Sequence, residues 1–237
     1  MFIIRKLVVA LVVLVGIFFG ASAVLETFAE SQLSTGVGRT LGLDSRPAVE
    51  IDAFPILLRV VQGRIPRILI DAHDVTIEKL DITELSIEML GVHANFDVLI
   101  RSDRFDLSVE HGTGSARISE DSANAFLKSR GRDVHVTFRP DGSVFVRADR
   151  VVGTRSHRFE ATGKLSLDAR TLTFTPSHVT ADGRPPGPLA ARARRETAFS
   201  VTIPKLPGQI LPRQVVVTDG EITLVAKLTG YVLHLAK

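Results

Sequence analysis

Apolar positions follow three successive patterns along the chain. Leu7 to Leu25 is an almost unbroken apolar run whose only polar member is Ser22. Leu25, Phe28, Ala29, Leu33, Val37 and Leu41 then recur at steps of three and four, with Glu26, Glu30, Ser34 and Arg39 between them, which predicts an amphipathic helix. Val49 and Ile51 share a face in an extended approach, after which Phe54-Pro55 opens Ile56 to Val61, a segment in which Arg59 is the only polar residue. A helix there is apolar almost all round and must be buried or bind something apolar. Gly63 ends it, and Pro66 keeps Arg64-Ile65 extended.

Beyond Pro66 the period is two. Ile68, Ile70 and Ala72 alternate, Val75 and Ile77 take the other parity, Leu85, Ile87 and Met89 are odd, and Leu90, Val92 and Ala94 even. A one-residue slip exchanges the faces of a strand, so bulges are expected at His73-Asp74 and near Leu90-Gly91. Phe96, Leu99 and Ile100 fit a helical turn. Phe105, Leu107 and Val109 resume the alternation, with Gly112-Thr113-Gly114 expected to break the strand before Ala116 and Ile118.

Ser119 is a good N-cap ahead of Glu120 and Asp121, with Ala123, Phe126 and Leu127 on one face and Gly131 as the stop. Hairpins are expected across Pro140-Asp141-Gly142 and across Asp168-Ala169-Arg170. Asp182 to Pro188 reads as a loop, and Leu189 to Glu196 carries Arg192, Arg194 and Arg195 with little apolar periodicity. Phe199, Val201 and Ile203 form a strand that stops at Pro204. The last hairpin pairs Val215 and Val217 with Ile222, Leu224, Ala226 and Leu228 across Asp219-Gly220, and the phase slips at Thr229-Gly230. Few helices and many sequential hairpins predict an α+β fold, a twisted antiparallel sheet curled over a helix.

Composition narrows the function more than the fold. Basic residues number 29 against 26 acidic, and with Arg5 and Lys6 set aside the remainder is nearly neutral, which gives nucleic-acid binding little support. The absence of cysteine excludes disulfides and thiolate chemistry. Arg5-Lys6 before the apolar run keeps the N-terminus on the cytoplasmic side and sends the chain beyond the run across the membrane. At ~1.5 Å per residue, Leu7 to Leu25 reaches roughly 28 Å, nearly the hydrocarbon thickness, while Ala21-Ser22-Ala23 resembles a cleavage site. Residues 1–25 are thus a signal peptide or a retained anchor, both readings staying open, and residues 26–237 are the exported domain.

Candidate chemistry is sparse. The seven histidines, at 73, 93, 111, 135, 157, 178 and 234, share no metal-ligand spacing, so no metal or other cofactor is expected. No serine lies in a nucleophile elbow and no lysine in a phosphate-binding loop. Glu120-Asp121 is explained by the helix dipole, and no acid-base or nucleophile set points to an enzyme. Arg192, Arg194 and Arg195 read as a solvated segment or as a patch attracted to anionic lipid headgroups.

The order of these pieces resembles that of the LmeA-like phospholipid-binding proteins, a family of exported actinobacterial proteins. The resemblance runs from the apolar N-terminus and the helix ending Leu41-Gly42-Leu43 through Arg46-Pro47, Val49 to Ile51, Ala53-Phe54-Pro55 and Gly63-Arg64. It continues through Gly112-Thr113-Gly114-Ser115-Ala116, the Ser119 to Leu127 helix and Thr218-Asp219-Gly220, with Ala53 where the family usually has glycine. It implies a TULIP-like architecture, a strongly twisted antiparallel sheet curled around a long amphipathic helix with an apolar groove, and phospholipid binding in the cell envelope in support of envelope lipids and lipoglycans. On the lipid-binding reading the expected lining residues are Phe54, Leu57, Leu58, Val61, Phe199 and Ile203, with Arg59 and Arg64 at the headgroup. The implied partners are phospholipid, the membrane surface and a membrane-bound envelope enzyme. The alternative is an anchored interaction module with no specific lipid.

Overall fold

The computed structural model describes residues 34, 47–52, 63–94, 104–204 and 210–236. They are mostly antiparallel sheet, with few helices. The strands are β1 (Ala48–Asp52), β2 (Arg64–Ile77), β3 (Leu80–Ala94) and β4 (Arg104–Ser119), then helix α1 (Glu120–Ser129). Next come β5 (His135–Phe138), β6 (Val144–Val152), β7 (Arg155–Asp168), β8 (Thr171–Ala181) and helix α2 (Ala190–Thr197). The chain closes with β9 (Phe199–Thr202), β10 (Gln214–Thr218) and β11 (Glu221–Ala236). Two sheets form where one was expected: β1-β2-β3-β4-β11-β10 and β5-β6-β7-β8-β9. The export helix and nearly all of the first amphipathic helix lie outside the described residues, as does the Phe96 to Ile100 turn; Ser34 is helical.

The phase slips are real and have backbone causes. In β2 the buried set Ile68, Ile70 and Ala72 gives way to Val75 where Asp74 takes a φ of 53°. In β3 the buried parity changes between Ile82 and Leu85, and again at Gly91, whose φ is 61°. That second change leaves Leu90 exposed, not on the buried face with Val92. Between β2 and β3, Glu78 and Lys79 both have positive φ, 47° and 72°, a two-residue hairpin turn that usually takes Asn-Gly. Without those residues the turn leaves no mark in the sequence pattern.

Gly112-Thr113-Gly114 does not break a strand, because β4 runs through it. A Cβ at Gly112 would collide with the Glu88 backbone carbonyl, so this glycine serves close strand approach instead of a turn.

The described chain divides into two compact units. The first takes in β1, the adjoining part of β2 up to Asp71, Ile87–Gly112 and the chain from Leu228. There β1 pairs with β2 from Ala48 opposite Asp71 to Asp52 opposite Arg67, burying Ile51, Ile68 and Ile70. The second unit comprises Ala72–Ser86 and Thr113–Lys227 and contains both helices and the whole five-stranded sheet.

In this second unit α1 starts as its sequence dictates. Ser119 Oγ accepts a hydrogen bond from the Ser122 N–H at 3.2 Å, and Glu120 and Asp121 occupy the first turn. Its buried residues are Ala123, Phe126 and Leu127. The same helix supplies the partner that edge strand β5 lacks. Asn124 accepts from the Val136 N–H at 2.7 Å and donates to the Val136 carbonyl at 3.0 Å, and Glu120 accepts from the Phe138 N–H at 3.0 Å. Asn124→Ala leaves both Val136 groups without these partners, an expected loss of about 2 kcal/mol. It is measured as a lower urea midpoint with unchanged slope. An unchanged midpoint would mean that water replaces the amide at no cost.

Candidate functional site

The second unit holds a partly open cavity of about 30 Å³ whose lining is wholly apolar. Phe126 and Leu127 of α1 form one wall, Val136 and Phe138 of β5 another, and Leu165 and Leu172 of β7 and β8 a third. Phe199 and Val201 of β9, with Ile203 just beyond, complete it together with Leu80, Ile118, Ile222 and Leu224. Alternation explains the assembly: each strand sends every second side chain inward, and the hairpins bring those faces to one place. The volume is that of one water-sized group. An acyl chain therefore requires the walls to part.

Two details shape the β7–β9 wall. Phe199 stacks on Phe174, with ring centroids 5.6 Å apart and planes 17° from parallel. Gly163 lies against Phe174, and a Cβ there would meet the ring carbons at 2.9 Å and collide with the Thr175 carbonyl. The register of β7 on β8 shifts between Thr162 and Gly163, which sets the Phe174 ring against the missing side chain.

The end of α1 carries cations beside this cavity. Gly131, at φ 74°, closes the helix: its N–H donates to the Lys128 carbonyl at 3.0 Å, and that of Arg132 to Leu127 at 2.9 Å. This closure displays Arg130 and Arg132 on either side of the glycine. The Arg130 guanidinium lies 5.0 Å over the ring of cavity-lining Phe126 and pairs with Glu78 at 3.1 Å. Arg132 donates to the Ser200 carbonyl at 3.3 Å, between the lining residues Phe199 and Val201.

Phe199 and Ile203, expected as lining, are both in the cavity wall. Phe54, Leu57, Leu58, Val61 and Arg59 lie outside the described residues. Arg64 is in the first unit, with its side chain 56 % exposed and paired with Glu110 at 3.2 Å. His93 reaches the same carboxylate at 2.8 Å, and its hydrogen bond, followed by the charge of Arg64, holds Glu110 below the usual carboxylate range. Phe126, Leu127, Val136, Leu172 and Val201 were not foreseen as lining. Their only sequence signal is apolar periodicity, which ordinary core shares.

The segment with Arg192, Arg194 and Arg195 is not irregular but forms helix α2, seated by just two buried residues, Ala193 and Thr197. Those small side chains let the helix lie close on β6, β7 and β8, and they make no apolar stripe to read in advance. Arg194 and Arg195 are exposed, while Glu196 is tied to Arg150 at 3.1 Å.

A separate concavity of about 490 Å³ is lined by polar residues, among them Asp149, Arg158, Glu160 and Asp182. Asp149 pairs with Arg158 at 3.0 Å and Asp182 with His157 at 2.8 Å. The Arg158 N–H, then His157, hold the Asp182 carboxyl below its ordinary range. Its polarity does not suit an acyl chain. Among the described residues no cluster of His, Cys, Asp or Glu could hold a metal ion, and no helix is long and apolar enough to cross a membrane.

No curated protein and no solved structure matches this chain. A family match, by contrast, covers residues 20–227, from the end of the apolar N-terminus into β11. The chain belongs to the LmeA-like phospholipid-binding family.

Proposed function

We propose that this protein is an exported phospholipid-binding protein of the cell envelope. It holds acyl chains in an apolar groove of TULIP-like architecture and supports the making or upkeep of envelope lipids or lipoglycans. The observation that carries the reading is the wholly apolar cavity, lined by Phe199 and Ile203, in a chain of a phospholipid-binding family. Such a carrier answers a physical need, since exposing an acyl chain of ~16 methylenes to water costs on the order of 13 kcal/mol at ~0.8 per CH₂. The groove reduces that cost while lipid passes through water to a membrane-bound biosynthetic enzyme.

Export rests on Arg5-Lys6 before Leu7 to Leu25, and residues 26–237 are the part that binds lipid. Phe54, Leu57, Leu58 and Val61 extend the groove in this reading, with Arg59 and Arg64 near a headgroup. Arg194 and Arg195 of α2 face solvent and suit an anionic membrane surface. The protein acts by binding and not by turnover.

Native mass spectrometry of the chain recovered from its host envelope, followed by lipid extraction, tests this. A phospholipid at one or more equivalents is the expected result. Bare protein that also takes up no lipid from vesicles would sink the reading and favour an interaction module.

A further inference from the structure

We propose that an acyl chain enters between the C-terminal end of α1 and β9, and that Arg130 and Arg132 at this seam hold the phosphate of the lipid headgroup. This deepens the phospholipid-binding reading and rests on it.

Among the described residues, the seam between the end of α1 and β9 is bridged by a hydrogen bond from Arg132 to the Ser200 carbonyl. The start of α1 is fastened to the β10–β11 turn by the Glu120 N–H donating to the Gly220 carbonyl at 2.9 Å. Its middle is fastened to β5 through both backbone groups of Val136, by way of Asn124. Strand β9, in contrast, is a short edge strand with four paired positions on β8, from Thr171 opposite Thr202 to Phe174 opposite Phe199. Toward α1 its backbone receives the Arg132 hydrogen bond at Ser200, an exposed contact of 3.3 Å. Among the described residues, parting the seam breaks this one long hydrogen bond and separates the apolar walls that Phe126, Leu127, Phe199 and Val201 give the cavity, which an entering chain covers in kind.

The chemistry at the seam favours an anion. Among the described residues neither Arg132 nor Lys128, in the last turn of α1, forms an ion pair, and Arg130 shares its charge with the mostly exposed Glu78. Cations at a helix end complement its dipole, but that does not account for Arg132 reaching across to β9. A guanidinium fits a phosphate in two parallel hydrogen bonds, each stronger than a bond to a neutral carbonyl. A phosphate arriving at the seam therefore draws Arg132 away from Ser200 and releases β9 from α1 in the same movement. Headgroup capture and opening of the cavity become one event, with Phe126 under Arg130 marking where chain meets headgroup.

The test uses the full chain in neutral-detergent micelles with fluorescent dioleoylphosphatidylglycerol or dioleoylglycerol, which share their chains and differ in the phosphoglycerol headgroup. Arg130→Gln and Arg132→Gln keep a donor but remove the charge. Each is expected to weaken phosphatidylglycerol binding about tenfold and to leave dioleoylglycerol within about twofold, in keeping with charge-assisted bonds to phosphate. For the unaltered protein, added salt is expected to weaken phosphatidylglycerol binding alone, a readout that needs no variant to fold. Equal losses for both lipids would make the arginines structural. Unchanged phosphatidylglycerol binding, or a flat salt response, would put the headgroup elsewhere. Glycerol 3-phosphate competing as well as the lipid would remove the chain from the seam. If the unaltered protein bound neither lipid, the phospholipid reading itself would fall.

Discussion

Phe199→Ala is expected to lower the stability of the empty protein by about 3–5 kcal/mol and to widen the cavity that Phe199 lines. The ring is 6 % exposed and stacks on Phe174, so the neighbours lose both its volume and an aromatic partner. Residual stability after such a loss is small, because whole domains are stable by only about 5–15 kcal/mol. In a lipid-binding protein the deficit has a further consequence. An acyl chain occupies the new space, so phospholipid should restore more stability to the variant than it adds to the unaltered protein. Thermal unfolding with and without phosphatidylglycerol vesicles measures this. A variant destabilised as expected, but rescued no better than the original, would place the chain away from Phe199.

Gly163→Val should be as damaging for the opposite reason. Even a Cβ at this position would collide with the Thr175 carbonyl and press on the Phe174 ring. The carbonyl belongs to the paired strand β8 and cannot retreat without breaking the ladder. Overpacking of this kind typically costs about 1–3 kcal/mol, and a rigid backbone neighbour puts the substitution at the upper end or beyond. Because Phe174 supports Phe199, misplacement of its ring should also disturb the cavity. Urea unfolding followed in far-ultraviolet circular dichroism gives the first effect and lipid uptake the second. A midpoint within experimental error of the original would show that β7 and β8 can move apart at this bulge.

Some of this architecture was legible because its cause is local. Ser119 caps α1 through its own hydroxyl, and the acids next to it meet the dipole of the helix they begin. Pro140-Asp141-Gly142 and Asp219-Gly220 turn the chain wherever they occur between alternating segments, and β5–β6 and β10–β11 pair across them as expected. The changes of parity at Asp74 and Gly91 were visible in the alternation, and both positions take a positive φ.

Other elements depend on partners distant in the chain. Glu78-Lys79 turns because β2 and β3 pair on either side, which overrides a poor local preference for positive φ. Gly112 looks like a strand breaker until the Glu88 carbonyl is found where its side chain would be. Helix α2 is held by Ala193 and Thr197 against a sheet surface, and two small residues give no periodic signal.

By itself the sequence determined the cap of α1, the hairpins across Pro140-Asp141-Gly142 and Asp219-Gly220 and the family, because neighbouring residues and the order of motifs carry that information. Tertiary structure decided that the strands divide into two sheets and that Phe199, Ile203, Phe126 and Leu127 line one apolar cavity. It also decided that Arg132 reaches from the end of α1 to β9. Periodicity states only that a side chain is turned inward. Whether it meets another side chain or borders a space depends on what the rest of the fold brings opposite, and that is set by long-range packing.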